Sequence, residues 1–227
     1  MIAIVHTSLL KGNSKAPKSK SDMQRVCAAA LLHQGVTTIL EPGRSNDDMA
    51  ALDIISKLGA TVKHGRDSIV IESKGVLPSH GIINCGESGL GSRMFTPIAA
   101  TSDKALTITG EGTLLSRPMN FFDEVFPQLG VRISSNLGKL PLQIKGPLVP
   151  GDIEIDGSLS SQFLTGLLLA YAASNPKQIE INVTNLKSKP YIDMTLQVIE
   201  AFGMKPPQVK SYSSFYFDDK DHLANTE

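Results

Sequence analysis

Three segments rich in Ser or Gly, each just ahead of a run of small and apolar residues, hold the groups best suited to chemistry in this 227-residue chain. They are Pro17-Lys18-Ser19-Lys20-Ser21-Asp22-Met23-Gln24-Arg25, Gly86-Glu87-Ser88-Gly89-Leu90-Gly91-Ser92-Arg93 and Asp156-Gly157-Ser158-Leu159-Ser160-Ser161-Gln162. A helix start offers unpaired N–H groups and a partial positive charge, which suit phosphate or carboxylate. Serine hydroxyls add adaptable donors, and the basic residues in two of the segments add charge. Plain N-capping uses the same residue types, so capping explains any one start taken alone. Three starts brought to one place would instead make an anion site.

A threefold repeat supplies the reason to bring them together. Asp47 to Gly59, Pro118 to Gly130 and Pro190 to Gly203 each read as a helix closed by Leu-Gly or Phe-Gly, with the glycines 71 and 73 residues apart. Stacked repeats present equivalent faces to one another, so their tips tend to converge. Ser116-Arg117-Pro118 and Lys187-Ser188-Lys189-Pro190-Tyr191 hold matching places in the second and third units and are expected at the same pocket.

Each unit reads as helix, strand, helix, then two strands. The first has a helix over 21–32, a strand over 37–40, a helix capped by Asn46 or Asp47, and a hairpin of 61–64 with 68–71. The second has a helix over 89–100, a strand over 106–109, a helix from Pro118 to Leu129, and strands at 131–134 and 142–145. Pro118 suits a helix start, whereas Pro97 and Pro127 are expected to kink or shorten theirs. The third has a helix over 161–173, a strand over 179–183, a helix over 191–202 and a strand near 214–217. One helix of each unit is nearly all apolar and belongs inside; the other is amphipathic and covers it. The segment before Lys15 matches no unit and is expected to be an edge strand or crossover segment. The expected units run at about 16–80, 81–150 and 151–227.

Composition narrows the function. Lys and Arg match Asp and Glu at 22 each, which argues against a nucleic-acid binder held by bulk charge but leaves room for a local basic pocket. Two cysteines are too few for a disulfide framework, and Cys27 in an apolar run is expected to be a buried structural thiol. Residues 1–10 lack the pattern of a signal peptide, and the most apolar stretch, Phe163 to Ala173, is too short to span a bilayer. A cytoplasmic, soluble protein is expected, with no membrane or nucleic-acid partner. Gly86, Gly89 and Gly91 do not have dinucleotide-fingerprint spacing, no Walker-type loop occurs, and no His/Cys/carboxylate set has metal-ligand spacing. No metal or cofactor is therefore expected. The sequence nominates no base for a nucleophilic serine.

At these residues the chain resembles the N-terminal half of the 3-phosphoshikimate 1-carboxyvinyltransferase (EPSP synthase) family. The shared motifs are Ser19-Lys20-Ser21-x-x-x-Arg25, Gly89 to Arg93, Arg117-Pro118, Asp156-Gly157-Ser158-x-Ser160-Ser161-Gln162-Phe163-Leu164-Thr165 and Ser188-Lys189-Pro190-Tyr191-Ile192-Asp193. The resemblance implies an α/β (α+β) fold of three pseudo-threefold βαβαββ units around buried helices, one half of a two-domain enolpyruvyl transferase. It implies transfer of the enolpyruvyl group of phosphoenolpyruvate to the 5-hydroxyl of shikimate 3-phosphate, through a tetrahedral adduct. Lys20 would contact phosphoenolpyruvate and the reacting hydroxyl, and Arg117 would hold phosphoenolpyruvate beside Gly89. Ser21, Arg25, Ser160, Ser161, Ser188 and Tyr191 would bind the shikimate phosphate and ring, with Gln162 between the two substrates.

Three positions depart from the family pattern: Lys18 replaces a glycine, and Glu87 and Leu90 replace Asn and Thr around Gly89. A carboxylate at Glu87 would repel an anion unless it points away or pairs with a base. The family's proton-transfer carboxylate and further basic residues belong to a C-terminal domain beyond this stretch, so the chain alone is expected to bind the shikimate phosphate weakly without turnover. Two other readings stand beside this one. One is a non-catalytic anion-binding half-domain. The other is the related transferase acting on UDP-N-acetylglucosamine, whose loop has a reactive cysteine at the place where this chain has Gly112.

Overall fold

The computed structural model describes residues 11–218 together with residues 3, 4, 6, 7 and 9. The first unit consists of α1 (Lys20–Leu32), β1 (Gly35–Leu40), α2 (Asn46–Lys57), β2 (Thr61–His64) and β3 (Ser68–Ser73). The second adds β4 (Ile82–Asn84), α3 (Gly89–Ala99), β5 (Ala105–Thr109), α4 (Phe121–Val125), β6 (Arg132–Ser135) and β7 (Leu142–Lys145). The third adds β8 (Ile153–Asp156), α5 (Ser161–Ser174), β9 (Ile179–Thr184), α6 (Lys189–Ala201), β10 (Gln208–Lys210) and β11 (Ser214–Phe217).

The strands form three separate sheets ordered β1-β3-β2, β4-β5-β7-β6 and β10-β11-β9-β8. In the two four-stranded sheets the leading strand runs parallel to the strand after the buried helix, with Ile83 opposite Ile108 and Ile153 opposite Ile181. All other pairings are antiparallel. The leading strands β4 and β8, and the edge strand β10, did not emerge from the sequence pattern. Residues 11–19 contain no strand, and part of the segment expected to be an edge strand lies outside the described residues. The end of the third expected unit, residues 219–227, lies outside them as well.

The nearly apolar helices α1, α3 and α5 are the interior, as their composition demands. From Phe163 to Ala172 every residue of α5 is buried, and so is Cys27 to Leu31 in α1. The amphipathic helices lie over them, α2 through Ala51, Leu52, Ile54 and Ile55 and α6 through Ile192, Val198 and Ile199. The repeated glycines Gly59, Gly130 and Gly203 close the outer helices at φ of +113°, +73° and +72°, a region that side-chain-bearing residues avoid.

Close approach of α3 and α5 depends on Gly166. A Cβ there would come within 2.6 Å of the Met94 carbonyl oxygen and 2.9 Å of the Arg93 carbonyl oxygen. Arg93 is the residue whose carbonyl Pro97 cannot engage, because proline has no N–H to donate. Pro97 neither ends nor shortens α3 before Ala99.

Two helix starts differ from the sequence expectation. Ser45, not Asn46 or Asp47, caps α2, in a capping box with Asp48 that binds both backbone and hydroxyl of Ser45. The helix expected from Pro118 starts at Phe121, and Pro127 converts its second half to a 3-10 turn over Phe126–Leu129. Phe121, Phe122 and Phe126 then join Phe163 of α5 in one aromatic cluster, with successive ring centroids 4.5 to 5.1 Å apart.

Candidate functional site

Each buried helix opens on a serine cap. Ser19 accepts from the Asp22 N–H at 3.2 Å, Ser88 from the Gly91 N–H at 2.9 Å, and Ser160 from the Gln162 N–H at 3.2 Å. Capping therefore occupies one serine per start and leaves the next groups along, Lys20, Ser21, Gly89 and Ser161, to face outward. The outer helix α6 differs. Its start, Ser188, sits at φ +58° and ψ +43° and makes no side-chain cap, so its hydroxyl stays available.

The three inner starts and the start of α6 border one cavity of about 570 Å³. All ten residues nominated from the sequence line it: Lys20, Ser21 and Arg25 from α1; Gly89 from α3; Arg117 from the following loop; Ser160, Ser161 and Gln162 at α5; Ser188 and Tyr191 at α6. Gln24, Asp47, Glu87 and Leu90 complete the wall. The convergence predicted from the repeat is thus a feature of the fold.

Arg25 is the most unusual of these residues, at 1% exposure. Its Nε donates to Thr195 Oγ1 at 2.9 Å and its Nη1 to the Ser21 carbonyl at 2.7 Å. Nη2 donates to Thr165 Oγ1 at 3.4 Å and to the Tyr191 carbonyl at 3.3 Å, and the guanidinium stands 5.7 Å from the Tyr191 ring centroid. Every partner is neutral, and no carboxylate lies within ion-pair distance among the described residues. Burial lowers its pKa to about 10, against a smaller opposing effect of Asp22. A buried cation paired with nothing negative is poised for an anion.

Lys20 does have a partner: its Nζ lies 2.8 Å from Asp47 Oδ2 across the α1–α2 gap. Arg117 approaches Gly89 so closely that a Cβ there would come within 2.6 Å of Nη1. Gly89 is needed for that approach. Glu87 has no hydrogen-bond or ion-pair partner among the described residues, and its carboxylate lies over Gly112, where a Cβ would come within 2.5 Å of Oε1. The residue borders the cavity without an ion-pair partner. Lining charges are three cations (Lys20, Arg25, Arg117) against two carboxylates (Asp47, Glu87).

Three residues that support the wall were not nominated from the sequence. Gln24 accepts from the Ser88 hydroxyl at 2.9 Å and ties the α1 and α3 starts together. Asp47 holds Lys20. Arg93 donates to Gln162 Oε1 at 3.1 Å from behind the wall. Helical spacing puts Gln24 one turn after Lys20, but such spacing is equally common in residues that merely face solvent, and Arg93 closes the Gly89 to Arg93 motif without a sign of what it would touch. Cys27 and Cys85 are free and buried, and burial pushes both thiols up to about 12. They are protonated, inert packing groups. Among the described residues no three His, Cys, Asp or Glu side chains are grouped to hold a metal, and no helix is long and apolar enough to cross a membrane.

The sequence profile described as EPSP synthase (3-phosphoshikimate 1-carboxyvinyltransferase) matches residues 4–227. The chain belongs to the EPSP synthase family. Among its relatives, the 3-phosphoshikimate 1-carboxyvinyltransferase of Methanocorpusculum labreanum is 37% identical over 208 residues, covering 90% of this chain and 49% of the relative. That of Clostridium kluyveri is 36% identical over 202 residues, covering 88% and 47%. The chain spans about half the length of the curated relatives it matches. Solved structures show the same fold: EPSP synthase from Acinetobacter baumannii superposes with a TM-score of 0.77 at 21% identity, covering 92% of this chain and 47% of that one. The enolpyruvyl transferase NikO from Streptomyces tendae gives 0.66 at 14% identity, covering 93% and 49%. The α/β architecture expected of one half of an EPSP synthase is thus the one observed.

Proposed function

We propose that this chain is the shikimate-phosphate-binding half of an enolpyruvyl transferase that joins phosphoenolpyruvate to the 5-hydroxyl of shikimate 3-phosphate in the cytoplasm and releases phosphate. The observation that carries the reading is the convergence of ten family-motif positions, from five separate stretches of chain, on one cavity around a buried, unpaired guanidinium. The stretch 16–227 would correspond to the three-unit half. A second half, outside this sequence, would supply the proton-transfer carboxylate and further positive charge.

The charge of the wall supports that division of labour. Three cations against two carboxylates leave a net charge of +1, far short of two multiply charged substrates. Arg25, Ser161, Ser188 and Tyr191 would take the shikimate phosphate and ring, together with Ser21 and Ser160. Lys20 and Arg117 would take phosphoenolpyruvate, with Gln162 donating between the two. In the reaction the 5-hydroxyl gives up its proton and attacks C2 as C3 gains one, giving a tetrahedral adduct; the adduct then expels phosphate as C3 loses a proton, which restores the enol double bond. Lys20 would stabilise charge at the reacting hydroxyl and Arg117 the departing phosphate; the Asp47 ion pair holds the first, and the approach to Gly89 orients the second.

Calorimetry on the 227-residue chain tests this reading. Shikimate 3-phosphate should bind, while the Arg25→Ala and Ser161→Ala variants lose roughly tenfold or more in affinity, since each removes a charge-assisted or buried contact. The chain alone should show no turnover with both substrates present. Equal, weak binding of inorganic phosphate and shikimate 3-phosphate would instead identify a general anion-binding half-domain.

A further inference from the structure

Arg93 is not part of the cavity wall, yet it grips a residue that is. Its Nη1 donates to Gln162 Oε1 at 3.1 Å. The guanidinium is itself fixed from two other sides, by donation from Nη2 to the Pro118 carbonyl at 3.3 Å and by the Phe163 ring, whose centroid lies 4.8 Å from Cζ. Phe163 in turn stacks on Phe121, so the base of this arrangement is the aromatic cluster of the core.

The chemistry of the pair has one consequence. A guanidinium only donates, and a side-chain amide has one accepting end and one donating end. With its oxygen turned toward Arg93, Gln162 turns its NH2 group the other way, and Gln162 borders the cavity. A free glutamine there could rotate and present either end, and an oxygen turned inward would repel an anion. We propose that Arg93 is a positioning residue that fixes the Gln162 amide with Nε2 directed into the cavity as a donor to the bound anion. The identity of that anion rests on the reading given under Proposed function; the orientation of the amide does not.

Arg93 occupies a site that is otherwise unfavourable for a cation. It is partly buried, no carboxylate lies within ion-pair distance among the described residues, and its Nε is buried without a partner. Burial first, and neighbouring Arg117 second, lower its pKa. A purely structural role would be filled better by an apolar side chain over Phe163.

The test uses the ¹⁵N-labelled 227-residue chain, with the Gln162 side-chain amide resonances assigned by their loss in a Gln162→Met variant. In ligand-free Arg93→Met, which still covers Phe163 but donates nothing, those resonances should move to the values of free glutamine while the backbone spectrum elsewhere persists. Unmoved resonances overturn the proposal. Should Arg93→Met fail to fold, Arg93→Lys, with a single donor group, is read by the same criterion and should shift them part of the way. Binding supplies a second readout: Arg93→Met should weaken shikimate 3-phosphate about tenfold, and the same change in a Gln162→Met background less than about twofold. Full additivity of the two losses overturns action through Gln162. A wild-type chain that fails to prefer shikimate 3-phosphate over inorganic phosphate counts against the proposed function, while the amide resonances still decide the role of Arg93.

Discussion

A guanidinium buried among neutral oxygens costs free energy in the empty site and recovers it only when an anion arrives. Arg25 is in that position, and its surroundings permit a sharp test. Thr195 Oγ1 also donates to the Tyr191 carbonyl at 2.8 Å and lies 3.3 Å from Thr165 Oγ1, so these polar groups stay satisfied if the guanidinium is removed. An Arg25→Met variant should therefore unfold at a temperature a few degrees above wild type in the absence of ligand, a gain of roughly 1 kcal/mol or more. The same variant should no longer bind shikimate 3-phosphate. A lower midpoint in calorimetric scans would mean that Arg25 is structural. Glu87 presents the opposite case, an unpaired carboxylate on a residue that borders the proposed anion site. Replacing it with Gln keeps the shape and removes the repulsion, so affinity for shikimate 3-phosphate or phosphoenolpyruvate should rise several-fold, a change of about 1 kcal/mol. The gain should shrink as salt is added, because screening already weakens the repulsion. Titrations at low and high ionic strength would measure both effects.

Among the elements, the junction of α3 and α5 is the least tolerant of change. Gly166→Ala would drive a Cβ into backbone carbonyls at 2.6 and 2.9 Å, and backbone cannot swing aside as a side chain can. The expected cost is about 2–4 kcal/mol, read as a lower urea midpoint with an unchanged slope. The two helices were themselves legible in the sequence, because stretches dominated by small and apolar residues, such as Phe163 to Ala173, have few other homes. The strands β4 and β10 have three residues each, too few for alternation to register, and it is pairing with β5 and β11 that defines them. Ser45, Asn46 and Asp47 can all cap a helix, and only Asp48 reaching back selects Ser45. The same division runs through the site. The residues to which the family motifs give a role, from Lys20 to Tyr191, could be named in advance, whereas Asp47 lies in no motif and Arg93 closes one without a role; both matter through what they touch, and contacts between distant segments leave no local mark.

For the molecule as a whole, the site belongs to no single repeat: the first contributes Lys20 and Arg25, the second Gly89 and Arg117, and the third Ser161, Ser188 and Tyr191. No repeat could form it alone. A ligand held there favours only the state in which all three units are assembled, so its binding energy should appear as stability of the entire chain. At a shikimate 3-phosphate concentration 100 times its Kd the linkage amounts to about 2.7 kcal/mol. For a chain of this size that corresponds to roughly 5–10 °C in the melting midpoint. Circular dichroism and differential scanning calorimetry should both report one transition that moves as a unit, and hydrogen exchange should slow together at the first turns of α1, α5 and α6. Inorganic phosphate at the same concentration should move the midpoint far less, because it meets Arg25 and the serines without engaging the rest of the wall. A transition that splits, with one repeat melting ahead of the others at a temperature indifferent to ligand, would show that the three helix starts do not share one bound molecule.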